Sequence, residues 1–162
     1  MMDMNFMDMK FTTAIQVKRL SDKIGRDIPW PRYATAGAAG LDLPACIEAP
    51  IILEPGERRV IPTGLAIQIP SRYIVGLIFP RSGLAAKHGV SLANAVGVID
   101  SDYKGELMVA LINYGDKEYM IKPGERIAQI VFMPLYQVNL VETDSLEATA
   151  RGAGGFGSTG QI

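Results

Sequence analysis

The stretch KPGERIAQIVFM, from Lys122 to Met133, places a tight turn directly before a run of apolar residues. Its Pro123-Gly124 pair predicts a type II turn, because proline presets its own φ at about −65° and glycine tolerates the positive φ that the next position requires. The run from Ile127 to Phe132 is mostly apolar, which is typical of a strand buried on both faces. The stretch therefore predicts a corner that leads into a strand of the core.

A second copy of this pattern lies earlier in the chain, where EPGER spans Glu54 to Arg58 and is again followed by an apolar run. The two segments are predicted to form equivalent corners of a barrel or sandwich. Glycine and proline divide the rest of the chain into short runs of ordinary strand length. The predicted strand runs are residues 51–53, 59–61, 65–69, 73–79, 96–99, 107–113, 127–133 and 136–141. No window shows a sustained period of 3.6 residues, so the chain is predicted to be all-β.

One short helix is predicted between Ser82 and His88. Serine is a frequent N-cap residue, and the residues from Leu84 onward are good helix formers. Gly89 can end the helix because glycine adopts the left-handed conformation without strain. The sequence thus predicts one or two helical turns within a β domain.

Length and composition limit the class of protein. The 162 residues suit a single domain, and 48% hydrophobic residues are enough for a real core. The 16 basic and 17 acidic residues nearly cancel, which argues against a broad surface for nucleic acid. One cysteine and one histidine exclude an internal disulfide and a Cys/His zinc cluster. The methionine-rich start lacks the apolar core of a signal peptide and no stretch is long enough to span a membrane, so a cytoplasmic protein is expected.

The C-terminal segment from Arg151 to Ile162 is rich in glycine. Its string GAGGFG, residues 152–157, matches the G-x-G-x-x-G pattern of dinucleotide sites, but that pattern has meaning only between a strand and a helix. Arg151 with open glycine amides and hydroxyls could instead bind phosphate, and Phe156 could stack on a base. The alternative is a flexible solubilising tail.

The segment PRSGLA, from Pro80 to Ala85, could bind an anion, since Arg81 lies beside the N-terminus of the predicted helix. The alternative is a plain capped turn with a surface arginine. A Ser82–His88 nucleophile pair is rejected, because the G-x-S-x-G elbow is missing and the two side chains would not converge on so short a helix.

Two aspartates adjoin apolar runs. Asp100 ends such a run in GVIDSDYKGE, where its carboxylate could deprotonate a positioned water. Alternatively the segment is an ordinary hairpin turn, or Asp100 and Asp102 hold a divalent metal through water. Asp42 lies within the apolar segment AGLDL, so its carboxylate should pair with an arginine or with the water shell of a metal.

Five segments together resemble, in order, the motifs of the homotrimeric dUTPases (deoxyuridine triphosphate nucleotidohydrolases). They are AGLDLPA from Ala39, PRSGLA from Pro80, GVIDSDYKGE from Gly97, GERIAQIV from Gly124 and RGAGGFGSTG from Arg151. The resemblance covers about residues 17–160. It implies a single-domain β-barrel or jelly roll with one short helix, assembled as a homotrimer with shared active sites. The expected divisions are a disordered extension (1–12), the β domain (13–148) and a flexible, glycine-rich C-terminal lid (149–162).

The resemblance implies hydrolysis of dUTP to dUMP and pyrophosphate by attack of water on the α-phosphorus. This reaction limits uracil incorporation into DNA and supplies dUMP for thymidylate synthesis. Asp100 resembles the general base, and Tyr103 resembles the residue whose ring lies against the deoxyribose and excludes a 2′-hydroxyl. The implied uracil pocket contains Asn94, Gly97, Val98, Ile99 and Met108. The implied phosphate site contains Arg81, Ser82, Gly83 and Gln129, and the implied closing tail contains Arg151, Phe156, Gly157, Ser158 and Thr159.

The cofactor implied by the resemblance is Mg²⁺, held by the three phosphates and by waters, with no direct protein ligand and Asp42 in the outer shell. The expected partners are dUTP and further copies of the chain, without nucleic acid or a membrane. Two alternatives share the fold: a dCTP deaminase-like enzyme and a non-catalytic deoxynucleotide-binding protein. Asp100, Tyr103 and the complete tail with Arg151 favour hydrolysis at phosphorus.

Overall fold

The computed structural model describes residues 13–155. Within this range the chain forms strands joined in antiparallel pairs and one helix. In chain order the elements are β1 (Gln16–Arg19), β2 (Leu41–Pro44), β3 (Ile51–Leu53), β4 (Arg58–Gln68), β5 (Ile74–Pro80), α1 (Ser82–His88), β6 (Val90–Leu92), β7 (Gly97–Ile99), β8 (Glu106–Asn113), β9 (Tyr119–Ile121) and β10 (Arg126–Pro134). The predicted all-β fold with one short helix is confirmed.

Two four-stranded sheets enclose the core. One has the strand order β1-β4-β8-β6 and the other β2-β10-β5-β7, and β3 pairs with β9 in a two-stranded ribbon. Aliphatic side chains from both sheets form one buried cluster, with Leu65 and Leu111 from the first sheet and Ile78 and Ile130 from the second. Burial of this apolar surface is the main stabilising contribution to the fold.

Helix α1 follows β5 almost directly, and Arg81 is the only residue between them. The expectation that Ser82 caps this helix is wrong, because Arg81 is the N-cap residue and Ser82 is already helical. Gly89 ends the helix with φ 70°, as predicted. Leu84 is buried and fixes the helix to the core, so the β5–α1 junction is held in place.

The two Pro-Gly corners form as predicted. Gly56 has φ 76° and Gly124 has φ 74°, the positive values that a type II turn requires. Each turn is closed by a backbone hydrogen bond across it, from Glu57 N to Glu54 O at 2.9 Å and from Glu125 N to Lys122 O at 3.1 Å. The first corner leads into β4 and the second into β10.

Several strand predictions need correction. Residues 59–61 and 65–69 are not two strands, since β4 continues through a bulge at Gly64, which has φ 71°. The predicted strand at 136–141 is wrong: Tyr136 and Leu140 are each 95% exposed, and no strand of this chain pairs with that segment in the described range. Strands β1, β6 and β9, of three or four residues each, were not predicted.

Among residues 13–155, no helix is long and apolar enough to cross a membrane.

Candidate active site

The turn between β7 and β8 presents Asp100 at the edge of a sheet. Strand β7 pairs with β5, and its last residue, Ile99, is buried, which fixes the chain immediately before Asp100. Asp100 itself is exposed. The turn is closed by Tyr103 N, which donates to Asp100 O at 3.2 Å, and by Lys104 Nζ, which donates to Ser101 O at 2.6 Å. A carboxylate on a fixed turn at the surface can meet a substrate without large movement.

Tyr103 lies in the same turn. Its hydroxyl donates a hydrogen bond to Glu106 O at 2.8 Å, and its ring lies against Gly105. The side chain remains 43% exposed. The structure therefore brings Asp100 and Tyr103 together on one turn, between β7 and β8.

The predicted base-pocket residues flank this turn. Gly97 lies close to its neighbours, because a Cβ there would lie 3.2 Å from Ile78 Cβ and 3.7 Å from Asn94 Nδ2. Asn94 therefore lies beside the start of β7. Val98 is exposed on β7, and Met108 is exposed on β8. Polar backbone groups and the side-chain amide of Asn94 therefore lie near exposed apolar side chains.

A cluster of three charged side chains lies where β2, β10 and the β5–α1 junction meet. Arg81 Nε lies 3.0 Å from Asp42 Oδ1, and Arg126 Nη1 donates to Asp42 Oδ2 at 2.8 Å. Arg81 Nη1 also donates to Arg126 O at 3.1 Å, which closes the triangle. The Asp42 side chain is only 16% exposed, and the expectation that it pairs with arginine is confirmed.

Arg126 was missed by sequence reasoning. The signal was available, since Arg126 directly follows the second Pro-Gly corner and lies within the segment GERIAQIV. Its pairing with Asp42 depends on the β2–β10 register, in which Arg126 lies opposite Pro44 and Gln129 opposite Asp42. That register is a tertiary property.

Gln129 links the same strands. Its Nε2 donates to Pro80 O at 3.1 Å, one residue before Arg81. A Cβ on Gly40 would lie 2.7 Å from Gln129 Oε1, so glycine at that position leaves space for the amide. The structure thus places Gln129 beside Arg81, as expected. Ser82 and Gly83 follow Arg81 and are exposed.

A cleft of about 500 Å³ opens beside the charged cluster. Trp30 and Arg32 line the cleft together with the three residues of the cluster. The remaining lining residues are Pro29, Ala34, Pro44, Gly124 and Glu125. Three guanidinium groups against two carboxylates give this cleft a local excess of positive charge, which suits an anion.

Glu125 is held by a neighbour from β9. Tyr119 donates its hydroxyl to Glu125 Oε1, while Lys122 N donates to Oε2 at 2.9 Å. Burial, and then the hydrogen bond to the Glu125 carboxylate, raise the pKa of Tyr119. The phenol therefore stays a proton donor, and it fixes the corner from which Arg126 emerges.

The predicted tail residues are only partly described. Arg151 is exposed, and its Nε donates to Gly154 O at 2.9 Å within its own loop. The predicted site residues Phe156, Gly157, Ser158 and Thr159 lie outside the described residues, as does the extension at 1–12. No group of three or more His, Cys, Asp or Glu side chains that could hold a metal ion occurs in the described part of the chain.

Known proteins resemble this chain over most of its length. The family model for dUTPase matches residues 26–160. A deoxyuridine 5′-triphosphate nucleotidohydrolase from Tolumonas auensis is 52% identical over 147 residues, which cover 91% of this chain and 97% of that protein.

Solved structures agree with the sequence relatives. The dUTPase of Staphylococcus bacteriophage 80alpha with dUPNHPP has a TM-score of 0.80 at 30% identity and covers 92% of this chain and 99% of that chain. A mutant dUTPase from phage phi11 of S. aureus, described with the coordination of a structural Mg(II) ion, has a TM-score of 0.72 at 25% identity and covers 84% and 100% of the two chains. The chain therefore belongs to the dUTPase family.

Proposed function

We propose that this protein hydrolyses dUTP to dUMP and pyrophosphate, with water attacking the α-phosphorus. The observation that carries the proposal is the identity of 52% to a dUTP nucleotidohydrolase over 91% of the chain. The arrangement of the site supports it, because the turn between β7 and β8 presents a carboxylate and an aromatic ring while a separate cleft collects arginines.

Asp100 is the general base in this proposal. Its carboxylate takes a proton from the water as the oxygen attacks the α-phosphorus. The bond between that phosphorus and the oxygen bridging to the β-phosphate breaks, and pyrophosphate leaves. The exposed position of Asp100 on a closed turn supports this role, since a base must come within hydrogen-bond reach of the water.

The nucleoside is selected by β7 and the turn that follows it. Uracil presents an acceptor, a donor and an acceptor along one edge, and backbone groups of Gly97 to Ile99 with the Asn94 amide can complement that pattern. Cytosine reverses part of it and would leave buried groups unpaired, at about 1–3 kcal/mol for each. The Tyr103 ring excludes a 2′-hydroxyl by occupying its space, while Met108 borders the base.

The triphosphate is bound by the cleft. Arg81 with the amides of Ser82 and Gly83 faces the α- and β-phosphates, and Gln129 lies beside them. Arg126 adds a second guanidinium to this cluster, and Arg151 closes from the tail with Phe156, Gly157, Ser158 and Thr159. Arginine suits this role because its planar fork donates two parallel hydrogen bonds to a phosphate.

Mg²⁺ is the proposed cofactor. Both carboxylate oxygens of Asp42 are engaged by arginines, so Asp42 fits an outer-shell position better than direct coordination. Hard cations prefer oxygen ligands, and the phosphates of the substrate supply these. When bound, the ion neutralises charge on the phosphate oxygens.

We further propose a homotrimer with shared active sites, closed by the lid at 149–162. Exposed apolar residues in the segment after β10 support assembly, because Tyr136 and Leu140 are uncovered in the single chain. Complementation tests it: an Asp100→Asn chain and a chain truncated before Arg151 are refolded together. Base and tail from different chains should restore about a quarter of the sites at equal mixing, whereas base and tail from one chain restore none.

The function itself is tested by measuring pyrophosphate release from dUTP with and without Mg²⁺. Asp100→Asn should lower kcat by about 10²–10⁴-fold while dUTP still binds, since the amide keeps the shape but takes no proton. A variant that keeps more than about a tenth of the activity would place the base elsewhere. Ammonia release from dCTP without pyrophosphate would indicate a deaminase instead.

A further inference from the structure

The ring of Tyr103 is held at two points by the residues that follow it. Its hydroxyl donates to Glu106 O at 2.8 Å. Its ring lies so close to Gly105 that a Cβ there would come within 2.5 Å of the Tyr103 hydroxyl oxygen and 2.7 Å of Cζ. Non-bonded atoms do not approach so closely, so any side chain at position 105 must displace the ring.

The acceptor of the hydroxyl is itself anchored in the sheet. Glu106 is the first residue of β8 and lies opposite Ala66 on β4. Its side-chain Oε1 accepts a hydrogen bond from Gly64 N at 2.7 Å, at the bulge of β4. The carbonyl that binds Tyr103 therefore belongs to a paired strand with a second tether, and this favours a single position for the ring.

We propose that Gly105 is a positioning residue that sets the selectivity for deoxyribose, by leaving the space in which the Tyr103 ring lies. This inference rests on the proposed function, in which that ring faces the sugar. An exposed aromatic side chain that is not held by such contacts would change rotamer at little cost. The ring can exclude a hydroxyl only if its atoms stay in place. Selectivity therefore depends on the contacts that hold the ring as well as on the ring itself.

The test is a double-mutant cycle on the ratio of kcat/KM for dUTP to that for UTP. Gly105→Ala should lower the ratio by about tenfold, in the direction of Tyr103→Ala. Adding Gly105→Ala to Tyr103→Ala should cause no further fall, because no ring remains to be displaced. The matched control is Gly37→Ala, since a Cβ at Gly37 meets nothing within 4 Å, and its ratio should equal that of the wild type.

A second readout does not depend on activity. With fluorotyrosine incorporated, the resonance of Tyr103 is the one missing from Tyr103→Phe, and it should shift in Gly105→Ala but not in Gly37→Ala. If Gly105→Ala does not fold, Tyr103→Phe tests the second contact that holds the ring, the hydrogen bond from its hydroxyl to Glu106 O. Loss of this hydrogen bond should lower the dUTP/UTP ratio of kcat/KM several-fold.

Five results would overturn the proposal. An unshifted resonance or an unchanged ratio in folded Gly105→Ala would show that glycine is not needed there. An equal fall of the ratio with and without the ring would show that Gly105 acts independently of Tyr103. An unchanged ratio in Tyr103→Ala would remove the role of the ring and leave dUTP hydrolysis standing. Absence of pyrophosphate release by the wild type would refute the proposed function itself, and the inference with it.

Discussion

The two Pro-Gly corners share a local structure and differ in what surrounds them. In the first corner (residues 54–58) Glu57 Oε2 accepts from Glu54 N, and in the second (residues 122–126) Glu125 Oε2 accepts from Lys122 N, both at 2.9 Å. The second carboxylate oxygen differs. Glu57 Oε1 pairs with Arg59 at the surface, whereas Glu125 Oε1 accepts the hydroxyl of Tyr119 from another strand.

The arginines that end the two corners differ in the same way. Arg126 begins β10 and donates to the carboxylate of Asp42, while Arg58 begins β4 and lies exposed, with no side-chain hydrogen bond among the residues described. The geometry of the turn depends only on its own residues, whereas the contacts that its residues make depend on distant parts of the chain. One corner only turns the chain, whereas the other also delivers a charge to the cleft.

The largest expected difference between the corners is in activity. Arg126→Ala should lower kcat/KM for dUTP by about 10²-fold, because it removes a positive charge from the proposed phosphate cleft and a hydrogen bond from Asp42. Arg58→Ala, its counterpart in the first corner, should stay within about twofold. Steady-state kinetics of both variants measures this, and equal losses would break the comparison.

A smaller difference is expected for the turn glycines. Gly56→Ala and Gly124→Ala should each lower the free energy of unfolding by about 1–2 kcal/mol, since both glycines have positive φ. The two losses should differ little, because a Cβ on Gly124 would lie at an ordinary contact distance of 3.4 Å from Pro29 Cδ while Gly56 has nothing within 4 Å. Urea denaturation at fixed protein concentration measures both values. A loss confined to one corner would contradict the shared geometry.

The partners of the two glutamates give the next test. Tyr119→Phe should lower the free energy of unfolding by about 1 kcal/mol, because a partly buried carboxylate loses a donor. Arg59→Gln removes the partner of Glu57 and should cost at most about 0.5 kcal/mol, since that pair is exposed. Denaturation midpoints of the two variants show which one loses more stability. A larger loss in Arg59→Gln would contradict the view that the Tyr119 contact is the stronger of the two.

The smallest effect concerns pH. The Glu54 amide, and then the hydrogen bond from Arg59, lower the pKa of Glu57 below its ordinary value of 4.5. The carboxylate therefore stabilises the folded state above that value, and this contribution is lost as pH falls through the lowered pKa. Wild type should exceed Glu57→Gln in stability at neutral pH, and the gap should close in acid. Urea midpoints from pH 7 downward measure the gap, and a constant gap would exclude this linkage.

Local features of the fold could be read from the sequence. The two corners, the end of α1 at Gly89 and the position of Asp100 after a strand each depend on neighbouring residues, and all were predicted. The N-cap was assigned to Ser82 instead of Arg81 because Ser82 and Arg81 are adjacent and only the backbone angles separate the alternatives. The run at 136–141 was predicted as a strand from composition alone, but a strand also needs a partner.

By itself the sequence determined the turn types, the all-β class and the family motifs, because φ preferences, periodicity and residue order are properties of neighbouring residues. Only the tertiary structure decided that Arg126 meets Asp42, that Tyr119 holds Glu125, and that the Tyr103 ring lies on Gly105 with its hydroxyl on Glu106. The first two contacts depend on strand register and on the relative placement of distant strands. The contacts of Tyr103 depend on the rotamer of its ring, which is determined by packing and not by sequence pattern.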